Sequence, residues 1–420
     1  MPRRRSRLIA PLALTLALAL VSLVPPGALA QEERELYDVR LFAQIGMPGQ
    51  PEGIAVGRDG TVYVGTHNYG KGDAEAPSKI FAYSPAGELR REYVIQGQNL
   101  DEDHGVLQFA LDARDTLYVL DRNPPRLFTL DPRTGAQRDY ATFDDVRPCG
   151  GGGEPGHCSA GSLDLAPFAD YPVFAPDGTL YVTDLEQGLI WRVPRGGGEA
   201  EVWFTDPRLE GVFGPNGIQF MADGETLLFA QTGSAPPGAS DLGQGVLYTL
   251  PVNPDGSPGE LAEFWKGRPV DGPDGFAIGA SGKVYVGLAG ASQFVVLSAD
   301  GEELARFPET PLHNTQQTPP FDTPASLAFH GERVLMTNQS FFTGTESGWT
   351  VADIFVGETG LPLYRPAMPA IDTVQPTTTP APGVPASEGL PATGAGGVAA
   401  AAAGLLLLGS GLLAVRRRPS

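Results

Sequence analysis

Four oxygen-bearing side chains recur at one phase of a repeat: Glu52 in QPEGIAV, Asp170 in FADYPVF, Asn216 in GPNGIQF and Asp274 in GPDGFAI. Each opens an apolar run, passes a turn such as GRDG, APDG, MADG or GASG, and resumes as TVYV, TLYV, TLLF or KVYV. The offset into the second run is 11 residues for Glu52 to Tyr63, Asp170 to Tyr181 and Asp274 to Tyr285, and 12 for Asn216 to Leu228. Carboxylate and amide oxygens without His or Cys suit a hard cation, and a loosely fixed set with room for waters suits calcium better than magnesium. Such an ion keeps positions open for water and for a carbonyl or phosphoryl oxygen that it polarises, so the chemistry expected is hydrolysis. Each motif also has a plainer reading, because Pro-Asn-Gly and Pro-Asp-Gly are common turns and an Asp or Asn ahead of a strand often only satisfies backbone groups. The four residues keep register with one another and not with the hairpin turns, which favours a shared site.

The elements that would position them follow from the same repeat. Inner strands are expected at TVYVG, TLYVL, TLYVT, TLLFA, KVYVG and RVLMT, each followed by a second strand: KIFAY, RLFTL, LIWRV, VLYTL, QFVVL and WTVADIF. Turns such as SPAG, DPRTG, NPDG and SADG end most of these, and a further short strand such as ELRREYVI or ELARF comes next. Four short strands in roughly 45 to 65 residues describe a propeller blade. The reading is an all-β, six-bladed β-propeller with four-stranded blades over residues 31–366, with LYDVRLFAQI supplying the outer strand that closes the ring. In that fold one phase of every repeat faces the central channel. Glu52, Asp170, Asn216 and Asp274 would then meet there, while Leu107 and Ala325 fill the same slot in the remaining repeats.

Residues 1–30 pair an Arg cluster with an apolar stretch and close on Ala28-Leu29-Ala30, the pattern of a secretory signal peptide. Residues 367–389, rich in Thr and Pro, cannot bury a core and read as an extended spacer. Then come Leu390-Pro391-Ala392-Thr393-Gly394, an apolar segment over 395–415 and Arg416, Arg417 and Arg418. This order resembles a sortase sorting signal. It implies attack by a sortase after Thr393, transfer to peptidoglycan and display on the cell wall, with the basic tail holding the apolar segment in the membrane until then; the plainer reading is a single-pass anchor. Removing the seven arginines of the two ends leaves 22 basic against 49 acidic residues, a net charge near −27, which argues against nucleic acid or an anionic lipid surface as a partner. A tethered monomer is the simplest expectation. Cys149 and Cys158 flank GGGGEPGH; a disulfide is the default outside the cytoplasm, with two free thiols or a site including His157 as the alternatives.

The hairpin phase with PEGIAV, GPNGIQF and GPDGFAI resembles the regucalcin and gluconolactonase family of senescence marker proteins, over Leu36 to about Gly360. The resemblance implies a six-bladed propeller holding a divalent cation, usually calcium or zinc. The family's Glu falls on Glu52, its Asn on Asn216 and its Asp on Asp274, while Asp170 stands where related calcium-dependent phosphotriesterases have another Asn. A third carboxylate would tighten calcium and weaken its pull on a substrate. The activity implied is a lactonase or related esterase, with Asp274 as general base on water or as direct nucleophile. His104, in DEDHGVLQF, sits in a His-Gly setting similar to that of the catalytic His of paraoxonase-like relatives; His67 and His313 are further loop histidines. No Ser, His and Asp set with a nucleophile elbow is present, and GGGGEPG precedes no helix, so it is no phosphate cradle. The alternative to an enzyme is a wall-displayed binding propeller with a structural ion, whose long tops GSAPPGASDLGQ and PETPLHNTQQTPPFD would form a recognition surface for a glycan or protein.

Overall fold

A computed structural model describes residues 34–68, 76–211, 213–236, 239, 241–311 and 316–369. The chain divides into two units, Met1–Glu35 and Leu36–Ser420, and all the strands belong to the second. The signal peptide, spacer, LPATG motif and apolar segment 395–415 lie outside the described residues, apart from the first few positions of the spacer. Among the described residues no helix is long and apolar enough to cross a membrane.

The second unit is built of antiparallel strands, interrupted by short 3-10 turns such as Pro207–Leu209. Every expected inner strand forms, because β-branched and aromatic residues fill a pleated surface that is buried on both faces: Leu180–Asp184 and Val284–Leu288 are buried throughout. The sheets are arranged as in a β-propeller. Four of them stand as separate four-stranded sheets, starting at Ala169–Phe174, Phe213–Phe220, Pro273–Ile278 and Pro324–His330. In the last of these, Val39–Gln44 pairs with Thr350–Phe355, so the N-terminal strand closes the ring.

The expectation of six discrete four-stranded blades needs correction. The count of separate four-stranded sheets is four, and the first two repeats run together in one nine-stranded sheet. The reason is local. The strand Val62–Asn68 is extended far enough for His67 and Asn68 to pair with Gly105 and His104 at the start of the strand His104–Leu111. On the far side of the same sheet, Gly198–Glu199 adds in parallel to Gln137–Thr142.

The core lies in the seams between consecutive repeats. Leu107, Tyr118 and Leu127 of one repeat pack with Phe174, Leu180 and Trp191 of the next, and Tyr118 meets Phe174 edge to face at a centroid distance of 5.0 Å. Trp191 is fully buried and donates from Nε1 to Asp184 at 2.9 Å, so its polar edge is satisfied. Cys149 and Cys158 form a disulfide with a Cα separation of 4.9 Å, tying the base of their glycine-rich loop.

Candidate functional site

The first strand of every repeat carries one extra residue at the same place. Pro51 pairs with Thr66 but Ile54 pairs with Val64, so three steps on one strand match two on the other. The same shift separates Val106 from Phe109, Ala169 from Pro172, Pro215 from Ile218, Pro273 from Phe276 and Pro324 from Leu327. A bulge bends the strand and re-aims a side chain. The residue at the head of each bulge is Glu52, Leu107, Asp170, Asn216, Asp274 or Ala325, the slot read from the sequence. The Pro-X-Gly motifs are therefore parts of strands, not turns.

Their glycines answer to close packing. A Cβ on Gly53 would lie 2.1 Å from the Leu107 carbonyl oxygen, and one on Gly217 would lie 2.8 Å from that of Asp274. Threonines of the second strands stitch the same backbone together. Thr337 donates to the Glu52 carbonyl at 2.8 Å, Thr183 to that of Asn216 at 2.7 Å and Thr232 to that of Pro273 at 2.8 Å. Thr183 in TLYVT and Thr337 in RVLMT share one phase, opposite the bulge, while Thr232 in TLLFAQT lies two residues further along; the sequence reading passed over all three.

Glu52, Asp170, Asn216 and Asp274 all line one cavity of about 250 Å³. Asn216 Nδ2 donates to Thr232 Oγ1 at 3.1 Å, which fixes the amide and leaves Oδ1 as its free end. That Oδ1 and Asp274 Oδ1 are both buried and have no hydrogen-bond partner. Buried oxygens of this kind are costly unless something completes them. Burial pushes the Asp274 carboxyl up to about 7, against the pull of the Asn216 side chain and the Gly275 N–H. Glu52 is raised well above the usual carboxylate range by burial, then by the charges of Asp274 and Asp170. Asp170 is likewise raised, by burial first and then by Asp274 and Asp184, with Arg122 opposing.

The donor chemistry, oxygen only, fits a hard cation. Among the described residues no group of three or more His, Cys, Asp or Glu side chains that could hold a metal ion is found, so the four side chains share the cavity without forming a compact cluster. The repeats bring the four residues to one shared cavity but do not draw them into a closed cage, and the carboxyls repel one another across it.

His104 does not line this cavity. Its ring is fully buried, with Nδ1 2.9 Å from the Glu102 carbonyl and Nε2 3.0 Å from that of Ala76. Its neighbour matters to the site instead. A Cβ on Gly105 would fall 2.0 Å from Cδ2 of His67, so the glycine makes room for that ring, and His67 does line the cavity. Burial, then the Arg122 charge and then His104 hold the His67 imidazole well below its usual range, so it is neutral at physiological pH. It stacks on Phe168 with centroids 6.5 Å apart, and Arg122 lies 3.9 Å over the same phenyl ring while pairing with Glu186 at 3.7 Å. His313 lies outside the described residues.

The sequence reading also missed the rim. Gln50, Thr323 and Ser340 line the cavity with positive φ angles of 47°, 58° and 64°, backbone that non-glycine residues adopt at a cost and that clusters at functional sites. Phe341 and Phe342 follow directly. No periodic signal marks them, because they belong to a loop and not to the repeat.

Known proteins share this architecture. A profile of the SMP-30/Gluconolactonase/LRE-like region matches residues 205–333, and one of the strictosidine synthase-like N-terminal region matches residues 41–68. A search of curated protein sequences gave no match. Among solved structures, a calcium-binding protein, regucalcin, from Agrobacterium tumefaciens is 18% identical with a TM-score of 0.51, over 78% of this chain and 98% of that one. A gluconolactonase from Xanthomonas campestris is 15% identical with a TM-score of 0.50, over 76% and 88%. A luciferin-regenerating enzyme is 12% identical with a TM-score of 0.51, over 79% and 99%. At these identities the likeness is one of fold. The chain is thus similar, across most of its propeller, to structures of the regucalcin and gluconolactonase type, and in residues 205–333 also to their sequence profile.

Proposed function

We propose that this chain is a divalent-cation-dependent hydrolase of lactones or related esters, with calcium as the cation. The observation that carries the reading is the pair of buried, unpartnered oxygens, Asn216 Oδ1 and Asp274 Oδ1, in a cavity also lined by the raised carboxyls of Glu52 and Asp170. The solved structures of similar fold, a calcium-binding protein and a gluconolactonase, support it. Glu52, Asp170 and Asn216, with Asp274, would hold the ion, which when bound supplies positive charge that polarises a carbonyl.

The chain's own residues provide the rest. Asp274, whose carboxyl lines the cavity with one oxygen unpartnered, is placed to act as a general base. It takes the proton of a water whose oxygen bonds to the lactone carbonyl carbon, then returns that proton to the ring oxygen as the carbon–oxygen bond breaks. Attack by the Asp274 carboxylate itself is the other route, separable by solvent-oxygen labelling of the enzyme in a single turnover. His67, neutral and lining the cavity, would stand beside the bound substrate.

Two measurements test the reading. Purified domain should bind calcium in a titration and open a lactone in a pH-stat assay, and the variant carrying Asn216→Ala with Asp274→Ala should do neither. Unchanged turnover in that variant would remove the hydrolase reading. That no group of three or more such side chains able to hold a metal ion is found among the described residues favours one rival, a non-catalytic binding propeller. Calcium raising Tm while a broad lactone and ester panel stays silent would select it.

The chain ends extend the proposal to place. A signal peptide over 1–30 would export the domain, and LPATG would hand Thr393 to a sortase for attachment to peptidoglycan. Mass spectrometry of a wall digest should find the chain ending at Thr393; a terminus at Ser420 in the membrane fraction would instead show a plain anchor.

A further inference from the structure

We infer that the cavity selects substrates with an apolar acyl or alkyl part, and that Phe341 and Phe342 are the residues that impose this choice. The inference rests on the hydrolase reading for the reacting group but stands on separate observations. Away from the oxygen donors the cavity wall is largely carbon, with Phe168, Phe213, Phe341, Phe342, Leu107 and Leu185 facing it. Gln50, His67, Thr323, Gln339 and Ser340 also line the cavity, but the hydroxyls of a polyhydroxylated sugar lactone laid against the phenyl and leucine side chains would find no partners there, which costs affinity, whereas an alkyl chain gains by leaving water.

The two phenylalanines are held in place by the loop that carries them. Asp322, only 2% exposed, accepts from the Phe342 N–H at 3.0 Å, the Thr343 N–H at 2.9 Å and the Thr343 hydroxyl at 2.6 Å. The Phe341 N–H donates to Thr323 Oγ1 at 3.2 Å, and Gly344 N–H closes the turn on the Ser340 carbonyl at 2.8 Å. A buried carboxylate is spent on holding this short segment, and Ser340 keeps a positive φ within it. A loop ordered only by solvent would need neither. Both rings are half-buried, leaving surface for a ligand to cover. Preorganised aromatic surface of this kind binds apolar groups without an ordering cost.

The test uses calcium-loaded protein and a series of γ-lactones with lengthening alkyl side chains, beside D-glucono-δ-lactone. In wild type, kcat/KM should rise about fourfold per added methylene until the cavity is filled, carried by KM. Phe341→Ser with Phe342→Ser should flatten that slope, so that the loss on the longest lactone exceeds the loss on γ-butyrolactone by about tenfold or more. Each single variant should give part of the effect, which guards against a double variant that folds poorly. A flat series, or a preference for D-glucono-δ-lactone, would overturn the inference and leave the hydrolase reading intact. If no lactone is opened, the same chain-length series of 2-alkylcyclopentanones, which cannot be hydrolysed, is followed by calorimetry. Affinity that climbs with length supports the apolar site although the hydrolase reading has failed; length-independent binding or none overturns it.

Discussion

Replacing Asp274 with Asn should alter the pH dependence of stability in a way that only a buried, mutually repelling carboxyl set explains. In the folded protein this carboxyl is raised from 3.8 to about 7. The folded state therefore holds its proton more tightly than the unfolded chain does. Stability linked to that proton is fully present below about pH 4 and is lost as pH rises through about 7. Moving that proton's binding from 3.8 to about 7 corresponds to about 4 kcal/mol between those limits. Glu52 and Asp170 are raised in the same direction, in part by the Asp274 charge, so their slopes have the same sign and soften when that charge is removed.

The assay is urea denaturation in the presence of a chelator, followed by the fluorescence of the four tryptophans, all of them buried. Metal-free wild type should lose stability from pH 4 to 8, and Asp274→Asn should recover about 4 kcal/mol of that loss. Excess calcium should stabilise wild type more at pH 8 than at pH 5, because protons and the ion compete for the same oxygens, and should do little for the variant. Identical slopes for the two proteins without metal, or equal stabilisation of both by calcium, would refute the reasoning.

Gly53→Ala should destabilise the fold by about 2–4 kcal/mol, since its new Cβ would sit 2.1 Å from the Leu107 carbonyl oxygen; a thermal melt within a degree of wild type would contradict the packing described. His104→Ala should lower Tm by removing contacts to the Glu102 and Ala76 carbonyls, yet change kcat by less than about tenfold; a larger fall in kcat at unchanged KM would return His104 to the catalytic set. Replacing both Cys149 and Cys158 with Ser, which frees a loop of sequence separation 9, should cost roughly 2–3 kcal/mol in the same urea assay, with lactone turnover unaffected.

Much of this molecule could be read before any coordinates. Repeated apolar runs such as TVYV, TLYV and KVYV, set off by turns at GRDG, APDG and GASG, marked strands that all formed, and the slot holding Glu52, Asp170, Asn216 and Asp274 was visible as a phase. What went wrong did so where contact, not pattern, decides. The pairing of His67 and Asn68 with Gly105 and His104 joins two repeats into one sheet, and nothing in either strand alone announces it. His104 looked like the histidine of the site, but a buried ring between two carbonyls has no reach to the cavity, while the less conspicuous His67 lines it because Gly105 gives way. Phe341 and Phe342 were invisible because a loop side chain carries no period.

The order of strands, the hairpins and the oxygen donors at one phase were determined by sequence alone, since side chains alternate every two residues along a strand and turns need particular residue types. Where those donors point was not. Each stands at a bulge, and a bulge exists only relative to a partner strand, as three residues set against two. Tertiary structure also decided which oxygens stay unpaired: Thr232 takes the Asn216 Nδ2 donor because the next repeat delivers the Pro273 carbonyl to the same hydroxyl, and what remains facing the cavity is Oδ1.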